Sequence, residues 1–295
     1  MPESEISQHE YLTVRELADL LRIKERKVYD LAASGEVPCS RATGKLLFPA
    51  AEIRAWIADA KSGGATAEAA RPAIFLGSHD PLLDWAIRHS GCGLATFFDG
   101  SLDGLSRFAE GAGVATGLHV FDAATSGWNV TAAAEAAGRQ NAVLVAFARR
   151  KRGLVIRPGA SGIDSMSDLA GRRVVPRQGA SGSARLFESL AAQQGLDLSQ
   201  VEFTEIARTE DDAVQSVRRG EADAAFGLAS VAQDYGLEFR PLMDERFDIL
   251  VDRKAWFDPP LQALFEFFRS TAFLQRARAD AGYDVSDVGK VIWNA

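Results

Sequence analysis

The sequence predicts an α/β protein built from two unequal parts. A short N-terminal stretch carries apolar residues at helical spacing, followed by a hairpin-like segment with basic residues. The remainder alternates short apolar runs with amphipathic helices in two successive series, which is typical of parallel sheets covered by helices. With 295 residues and 47% hydrophobic composition, the chain is long enough for two or three folding units and has the composition of a globular protein.

The N-terminal part predicts two short helices separated by a tight turn. Thr13 is a good N-cap and Glu16 stands three residues later, which is the spacing of a capping box. The following leucines fall at helical spacing and would face a small core. The other predicted elements follow in order within residues 1–60: a second helix over residues 24–31, a helix stop at Gly35, a hairpin over Arg41–Phe48 and a helix over Glu52–Ala60.

Basic residues concentrate in this part, although the whole chain has a net charge of −7. Between Arg22 and Lys45, six basic residues stand against three acidic ones, a local balance of +3. Such side chains on a second helix and a hairpin can contact phosphates and base edges in a major groove. The predicted DNA-binding residues are Thr13, Lys24, Arg26, Lys27, Tyr29, Arg41 and Lys45. A small helical oligomerisation module is the alternative.

A family pattern runs through the same stretch: Leu12-Thr13-Val14, Val28-Tyr29, Gly35, Val37-Pro38 and the basic hairpin over Arg41–Phe48. On these residues, Tyr11–Ile57 resembles the winged helix-turn-helix domains of the excisionase and MerR-like families. Their recognition helix usually begins with serine, whereas this chain has Lys24, so a side-chain cap worth roughly 1 kcal/mol is lost. The resemblance implies binding to a double-stranded DNA operator.

From residue 73 onward the pattern changes, after a linker of small residues over 61–72. The first series predicts strands over residues 73–78, 94–98, 114–121 and 142–147, and helices opened by Asp80-Pro81 and over residues 102–110 and 131–137. The second series predicts strands over residues 154–156, 173–175, 201–204, 223–226 and 246–251, and helices over residues 167–170, 183–194, 211–219, 231–235, 261–268 and 272–281.

Two chain crossings, near residues 147–153 and 240–246, would divide residues 73–295 into two lobes. Lobe 1 is predicted over about 73–148 and 246–295, and lobe 2 over about 153–240. One large doubly wound domain is the alternative. The charge run Arg149–Arg152 at the first crossing is interpreted as a solvated surface loop.

Two segments of this part suit anion binding. Ser78 precedes a helix in the first series, and the turn Gln178–Ser183 leads into a helix in the second. Helix N-termini bind anions through exposed N–H groups, and ligands of open parallel sheets lie at the carboxyl ends of strands. We therefore expect both segments to meet across a cleft and hold a small oxyanion, unless the serines and glycines merely cap helices.

Other residues are expected near the same cleft. His119 and Asp122 follow the third strand, and His119 is a candidate donor to an anion. Arg177 would either neutralise ligand charge or brace a lobe through a salt bridge. The predicted ligand-binding residues are Ser78, His79, His119, Asp122, Arg177, Gln178, Ser181, Gly182, Ser183 and Gly227.

A second resemblance covers residues 73–295. Its segments are Gly77–Trp85, Gly100–Leu105, Leu118–Asp122, Arg177–Arg185, Gly220–Asp223 and Gly282–Asp284. They are similar to the bilobal type 2 periplasmic-binding-protein-like domain found fused to helix-turn-helix regulators, which is related to molybdate- and tungstate-binding proteins. The resemblance implies a one-component transcriptional regulator with molybdate or tungstate as its effector and no cofactor. Another small anion or a metabolite is the alternative effector.

The remaining features restrict the function classes. No apolar run is long enough to span a membrane, no signal peptide is recognised, and a cytoplasmic protein is expected. Cys39 and Cys92 match neither a disulfide framework nor a zinc site. No catalytic motif is recognised, and an enzyme on the same bilobal fold is the less favoured class. Operator symmetry leads us to expect a homodimer.

Overall fold

The computed structural model describes residues 10–41, 44–59, 70–179 and 181–295. The chain forms two units, Met1–Ala70 and Arg71–Ala295. Residues 61–69 of the predicted linker, Ala60 at the end of a predicted helix and Ala180 in the predicted anion-binding turn lie outside the described residues.

The first unit is three helices with a short two-stranded sheet. Its elements are β1 (Tyr11–Leu12), α1 (Val14–Leu21), α2 (Glu25–Ser34), β2 (Phe48–Pro49) and α3 (Ala50–Asp59), with β1 and β2 antiparallel. Thr13 and Glu16 form the predicted capping box, and Gly35 ends α2 with a φ of 74°. Lys24 occupies the N-cap of α2 without a side-chain hydrogen bond, as its substitution for serine predicts. A core around Leu17, Val28, Phe48 and Ile53 joins these elements.

The second unit alternates strands and helices. Its helices are α4 (Pro81–His89), α5 (Ser101–Ala109), α6 (Val130–Ala137), α7 (Gly182–Gln193), α8 (Glu210–Arg219), α9 (Ala229–Asp234), α10 (Pro259–Phe267) and α11 (Thr271–Ala279). Its strands are β3 (Ile74–Gly77), β4 (Ala95–Phe98), β5 (Ala115–Leu118), β6 (Phe121–Asp122), β7 (Gly127–Trp128), β8 (Ala142–Ile156), β9 (Arg173–Val175), β10 (Glu202–Phe203), β11 (Ala224–Leu228), β12 (Glu238–Asp252), β13 (Tyr283–Asp284) and β14 (Val291–Asn294).

One sheet runs through both lobes in the order β10-β9-β11-β8-β12-β5-β3-β4. The outer strands of each lobe are parallel to their neighbours, whereas β8 and β12 are antiparallel to each other and to the strands beside them. Separate apolar clusters cover the two faces of each half of the sheet. The carboxyl ends of β3, β5 and β9 therefore open toward the region between the lobes.

The two predicted crossings are the middles of long strands. The strands predicted over residues 142–147 and 154–156 are one 15-residue strand, β8, and the crossing near residues 240–246 lies within β12. The interpretation of Arg149–Arg152 as a solvated surface loop was wrong, because Arg150 and Arg152 are 2% and 0% exposed. Their charges interrupt the apolar pattern of the strand, but buried carboxylates from other elements neutralise them.

Candidate functional site

A cavity of about 240 Å³ lies between the two lobes. It collects side chains from segments that are far apart in the chain. Its lining residues are Ser78, His79, Phe98, Gly100, His119, Arg177, Gln178, Ser181, Ser183, Arg208, Thr209 and Glu210. The structure thus brings together seven of the ten residues that the sequence suggested for ligand binding.

Three helices begin at this cavity. Gly100, Ser181 and Thr209 are the N-caps of α5, α7 and α8. The first N–H groups of a helix have no intrahelical acceptor, and the helix dipole adds partial positive charge there. The helix after Ser78, α4, differs from our expectation, because Asp80 caps it and accepts hydrogen bonds from Leu83 and Arg150 at 2.7 Å each. The start of α5 therefore provides the helix N-terminus of lobe 1 at the cavity.

A pair of buried serines sets the hydrogen-bonding direction of Ser78. The Ser78 and Ser101 hydroxyl oxygens are 2.7 Å apart, and the Ser101 oxygen also accepts from the His119 N–H at 3.1 Å. Ser101 is fully buried, so its own proton needs an acceptor, and Ser78 is the acceptor among the described residues. The proton of Ser78 then remains for the cavity that this residue lines. Sequence reasoning missed Ser101, although it follows a strand and begins a helix as Ser183 does.

His119 is buried beside a charged network. Its Nδ1 lies 3.1 Å from a carboxylate oxygen of Glu245. Burial lowers the pKa of His119, and this outweighs the opposite effect of Glu245. Burial would raise the pKa of Glu245, but Arg150 and Arg152 hold that pKa well below its usual range. The neutral ring therefore donates its one proton to Glu245, which leaves Nε2 as an acceptor rather than the donor that we expected.

Arg177 is hydrogen-bonded and ion-paired within lobe 2, so it does not present an unpaired charge to the cavity. Its Nε and Nη2 donate to the carbonyls of Ala207 at 3.1 Å and Arg208 at 2.9 Å, and its Nη1 lies 3.1 Å from Glu210. This is the second of the two roles that the sequence left open for Arg177. Its charge still contributes to the field at the cavity, although Glu210 offsets it.

Glu210 was not found from the sequence. Its Oε1 accepts from the Ser183 hydroxyl and from Arg152, both at 3.0 Å. Burial would raise the pKa of Glu210, but Arg152 and Arg177 lower the pKa to about 2. Ser183 therefore gives its hydroxyl proton to the protein, and its backbone N–H is the group left for a ligand. A carboxylate at the first position of a helix has no sequence signal that distinguishes it from an ordinary dipole-stabilising residue.

Gln178 and Gly182 contact lobe 1 across the gap between the lobes, and His79 lines the cavity. The Gln178 amide donates to the carbonyl oxygen of Asp99 in lobe 1 at 3.2 Å. Gly182 lies against lobe 1 so closely that a Cβ there would be 2.6 Å from the carbonyl oxygen of His119. Nδ1 of His79, which lines the cavity, is buried and has no hydrogen-bond partner among the described residues.

Asp122 and Gly227 do not line the cavity. Asp122 lies in the β6–β7 hairpin beyond the end of β5, where it accepts hydrogen bonds from Thr125 at 2.9 Å and Thr131 at 2.8 Å. Gly227 is buried in β11, and a Cβ there would lie 3.4 Å from Glu210. A Cβ there would also lie 3.2 Å from Cγ2 of Val155, so Gly227 is packed within lobe 2.

The buried charges form a chain beneath the cavity. Arg150 pairs with Asp80 at 2.7 Å and with Glu245, and Arg152 pairs with Glu245 at 2.5 Å and with Glu210 at 3.0 Å. The chain joins Asp80 in lobe 1 to Glu210 in lobe 2 through side chains of β8 and β12. Since it also contacts His119 and Ser183, it fixes the walls of the cavity on both sides.

The first unit presents its predicted DNA-binding residues on the surface. Lys24, Arg26, Lys27, Tyr29, Arg41 and Lys45 are all exposed. Thr13 is also exposed, but its hydroxyl serves the capping box of α1. Tyr29, Arg41 and Lys45 line one groove together with Thr13, whereas Lys24, Arg26 and Lys27 do not line it.

Among the described residues, no group of three or more histidine, cysteine, aspartate or glutamate side chains is arranged to hold a metal ion. None of the helices in the described part of the chain is long and apolar enough to cross a membrane.

Comparison with known protein families identifies both units. A model described as the PBP superfamily domain matches residues 84–269. The chain belongs to this superfamily. A model described as a helix-turn-helix domain matches residues 11–61. This pairing of a helix-turn-helix domain with a PBP-like domain fits a DNA-binding regulator that senses a ligand, and both domains are typical of binding and regulatory proteins.

Two known proteins are similar to this chain in sequence. "Uncharacterized protein YvgK" of Bacillus subtilis (strain 168) is 26% identical over 300 residues, which cover 95% of this chain and 97% of that protein. "Uncharacterized protein in ferredoxin 2Fe-2S gene 5'region" of Clostridium pasteurianum is 30% identical over 78 residues, or 26% of this chain and 69% of that protein.

Two examples illustrate the solved structures that are similar to this chain. A histidine kinase sensor domain with similarity to periplasmic binding proteins has a TM-score of 0.46 and 14% identity, and the match covers 72% of this chain and 97% of that chain. The periplasmic aliphatic sulphonate binding protein SsuA from Escherichia coli has a TM-score of 0.45 and 18% identity, covering 70% of this chain and 76% of that chain.

Proposed function

We propose that this protein is a one-component transcriptional regulator whose PBP-like unit senses a small anion in the cavity between its lobes. The observation that carries the proposal is the convergence of the N-termini of α5, α7 and α8 on that cavity. Together these N-termini supply backbone donors and partial positive charge without a mobile side chain.

Molybdate and tungstate are the first effectors to test, because the resemblance of residues 73–295 to molybdate- and tungstate-binding proteins implies them. A fully ionised tetrahedral oxyanion accepts hydrogen bonds and donates none. The Ser78 hydroxyl and the N–H group of Ser183, two residues that line the cavity, are donors that suit it.

Another small anion or a metabolite is the second candidate, and His119 favours it. The neutral His119 ring gives its proton to Glu245, so its other nitrogen accepts hydrogen bonds. An effector that carries an O–H or N–H group beside its negative charge would therefore have a partner that molybdate and tungstate cannot use.

Thermal unfolding of the full chain with a panel of anions tests the proposal. We expect molybdate and tungstate to raise the melting temperature more than chloride does at equal ionic strength, because a ligand that binds only the folded state stabilises it. Phosphate, which keeps a hydrogen at neutral pH, and sulfate, which keeps none, separate the two candidates. The absence of a selective shift with every anion would contradict an oxyanion effector.

The first unit would bind operator DNA, and a homodimer in the cytoplasm is the form that operator symmetry suggests. Ligand binding would favour the closed arrangement of the lobes, and coupling of roughly 1–3 kcal/mol between the two sites would change DNA affinity about 5- to 150-fold.

A further inference from the structure

An open groove crosses the surface of the helix-turn-helix unit. The start of α1, one stripe of α2 and the described residues of the segment before β2 line it. Its lining residues are Thr13, Val14, Arg15, Glu25, Tyr29, Ala33, Arg41, Gly44, Lys45, Leu46 and Leu47. Tyr29 is 54% exposed in this groove.

Unpaired positive charge lies along the groove. Arg41 and Lys45 come from the segment that precedes β2, and Arg15 comes from the first turn of α1. All three are exposed, and none forms an ion pair or a side-chain hydrogen bond with another described residue. In the second unit, by contrast, Arg150, Arg152 and Arg177 are held by carboxylates. The cations of the groove therefore remain available to an external anion.

The geometry of α2 decides which of its side chains face the groove. Glu25, Tyr29 and Ala33 are spaced by four residues and share one stripe, and all three line the groove. At about 100° per residue, Lys27 lies roughly 160° around the helix from Tyr29. Viewed down the helix axis, Arg26 has nearly the same angular position as Ala33, at the edge of the stripe. The charges on α2 therefore do not all face the same partner.

We propose that this groove receives duplex DNA and that Arg15 contacts the phosphate backbone together with Arg41 and Lys45. This assignment rests on the proposed DNA-binding function and adds a residue of α1 to the interface. Three exposed cations and an exposed tyrosine in one groove match a partner whose recognition surface is bordered by phosphates. The positive end of the α1 dipole lies beside Arg15 and adds to the same field.

Glu25 allows the groove to discriminate between DNA sequences. A carboxylate repels phosphate but accepts hydrogen bonds from the amino groups of bases, above all that of cytosine. Its place in the same groove as these cations therefore lowers affinity for phosphate in general and favours sequences that offer an amino group at that position. Glu25→Gln is expected to bind random-sequence DNA more tightly than the wild-type chain does.

Fluorescence anisotropy with a short random-sequence duplex at low ionic strength tests the assignment of Arg15. Arg15→Gln is expected to weaken binding several-fold and to reduce the slope of log affinity against log salt by about 0.9, the value for one lost phosphate contact. Arg22→Gln is the matched control, because Arg22 is also an exposed arginine of the α1 region, at the opposite end of the helix and outside the groove. It should keep the wild-type slope.

The outcomes separate this assignment from the proposed function. A loss in Arg15→Gln with little change in Arg22→Gln supports the groove. Equal losses in the two variants, or a larger loss in Lys27→Gln than in Arg15→Gln, would overturn it while leaving DNA binding intact. A wild-type chain that does not bind the duplex would overturn the proposed function and this assignment together. Circular dichroism of each variant checks that the unit remains folded.

Discussion

At the scale of single residues, the buried ion chain is the feature that determines the site. Arg150, Arg152 and Glu245 are almost completely buried, and each has a partner of opposite charge. Burying charges is costly, and such pairs often contribute little net stability. Their effect here is positional, because the chain orients His119 through Glu245, and Ser183 and Arg177 through Glu210.

The hydrogen-bonding roles of these residues could not be predicted from the sequence. Ser183 and Glu210 are separated by 27 positions, and His119 and Glu245 by 126. Seven predicted ligand residues do line one cavity, since strand ends and helix starts are visible locally. Whether a hydroxyl or a ring nitrogen is free or engaged depends on partners that only the folded chain supplies.

Acid unfolding of Glu210→Gln tests the ion chain. The folded-state pKa of Glu210, about 2, lies below its ordinary value of 4.5, so its contribution to stability is complete above pH 4.5 and disappears as the pH falls toward 2. At neutral pH the variant leaves Arg152 and Arg177 without this carboxylate and should lose about 3–5 kcal/mol of unfolding free energy. Urea unfolding at several pH values measures both effects.

Between pH 4.5 and 2, the variant should lose less stability than the wild-type chain does, because one of the titrating carboxylates is gone. Glu202→Gln, at an exposed position of β10, is the control and should follow the wild-type curve. A Glu210→Gln curve parallel to the wild type would contradict the ion chain.

At the scale of helices and strands, capping was predictable and strand continuity was not. The capping box at Thr13, the Asp80-Pro81 helix start and the Gly35 helix stop follow from a few neighbouring residues. The strand β8 was predicted as two strands and a loop, because charged residues at its centre interrupt the apolar pattern. Two short strands, β13 and β14, were not predicted after the last helix.

The turn before α7 packs closely against lobe 1. Gly182 has no room for a side chain, since a Cβ there would lie 2.6 Å from the His119 carbonyl oxygen in lobe 1. Gly182→Ala should therefore disfavour closure by about 1–3 kcal/mol and reduce the anion-induced rise in melting temperature.

Gly179→Ala is the matched control for this substitution. It lies in the same turn, and no atom lies within 4 Å of the position that its Cβ would take. We expect it to keep the wild-type thermal shift. Equal shifts in Gly182→Ala and the wild-type chain would mean that closure at this turn does not contribute to ligand binding.

At the scale of the whole molecule, the fold class was predictable because hydrophobic periodicity changes sharply along the chain. Helical spacing before residue 60 and alternating strands and helices after residue 73 indicate two units of different architecture. The sequence did not reveal that one sheet runs through both lobes, because the pairing of β8 with β12 joins segments that are nearly a hundred residues apart. Because of that pairing, the segments that line the cavity on both sides are attached to one sheet.

In the proposed regulator, an anion between the lobes controls the affinity of the helix-turn-helix unit for DNA. The most direct measurement is the dissociation constant of the full chain for duplex DNA, with and without saturating molybdate or tungstate at constant ionic strength. We expect a change of about 5- to 150-fold in either direction, and the same factor in anion affinity when DNA is present. An anion that binds the protein without changing its DNA affinity would contradict it.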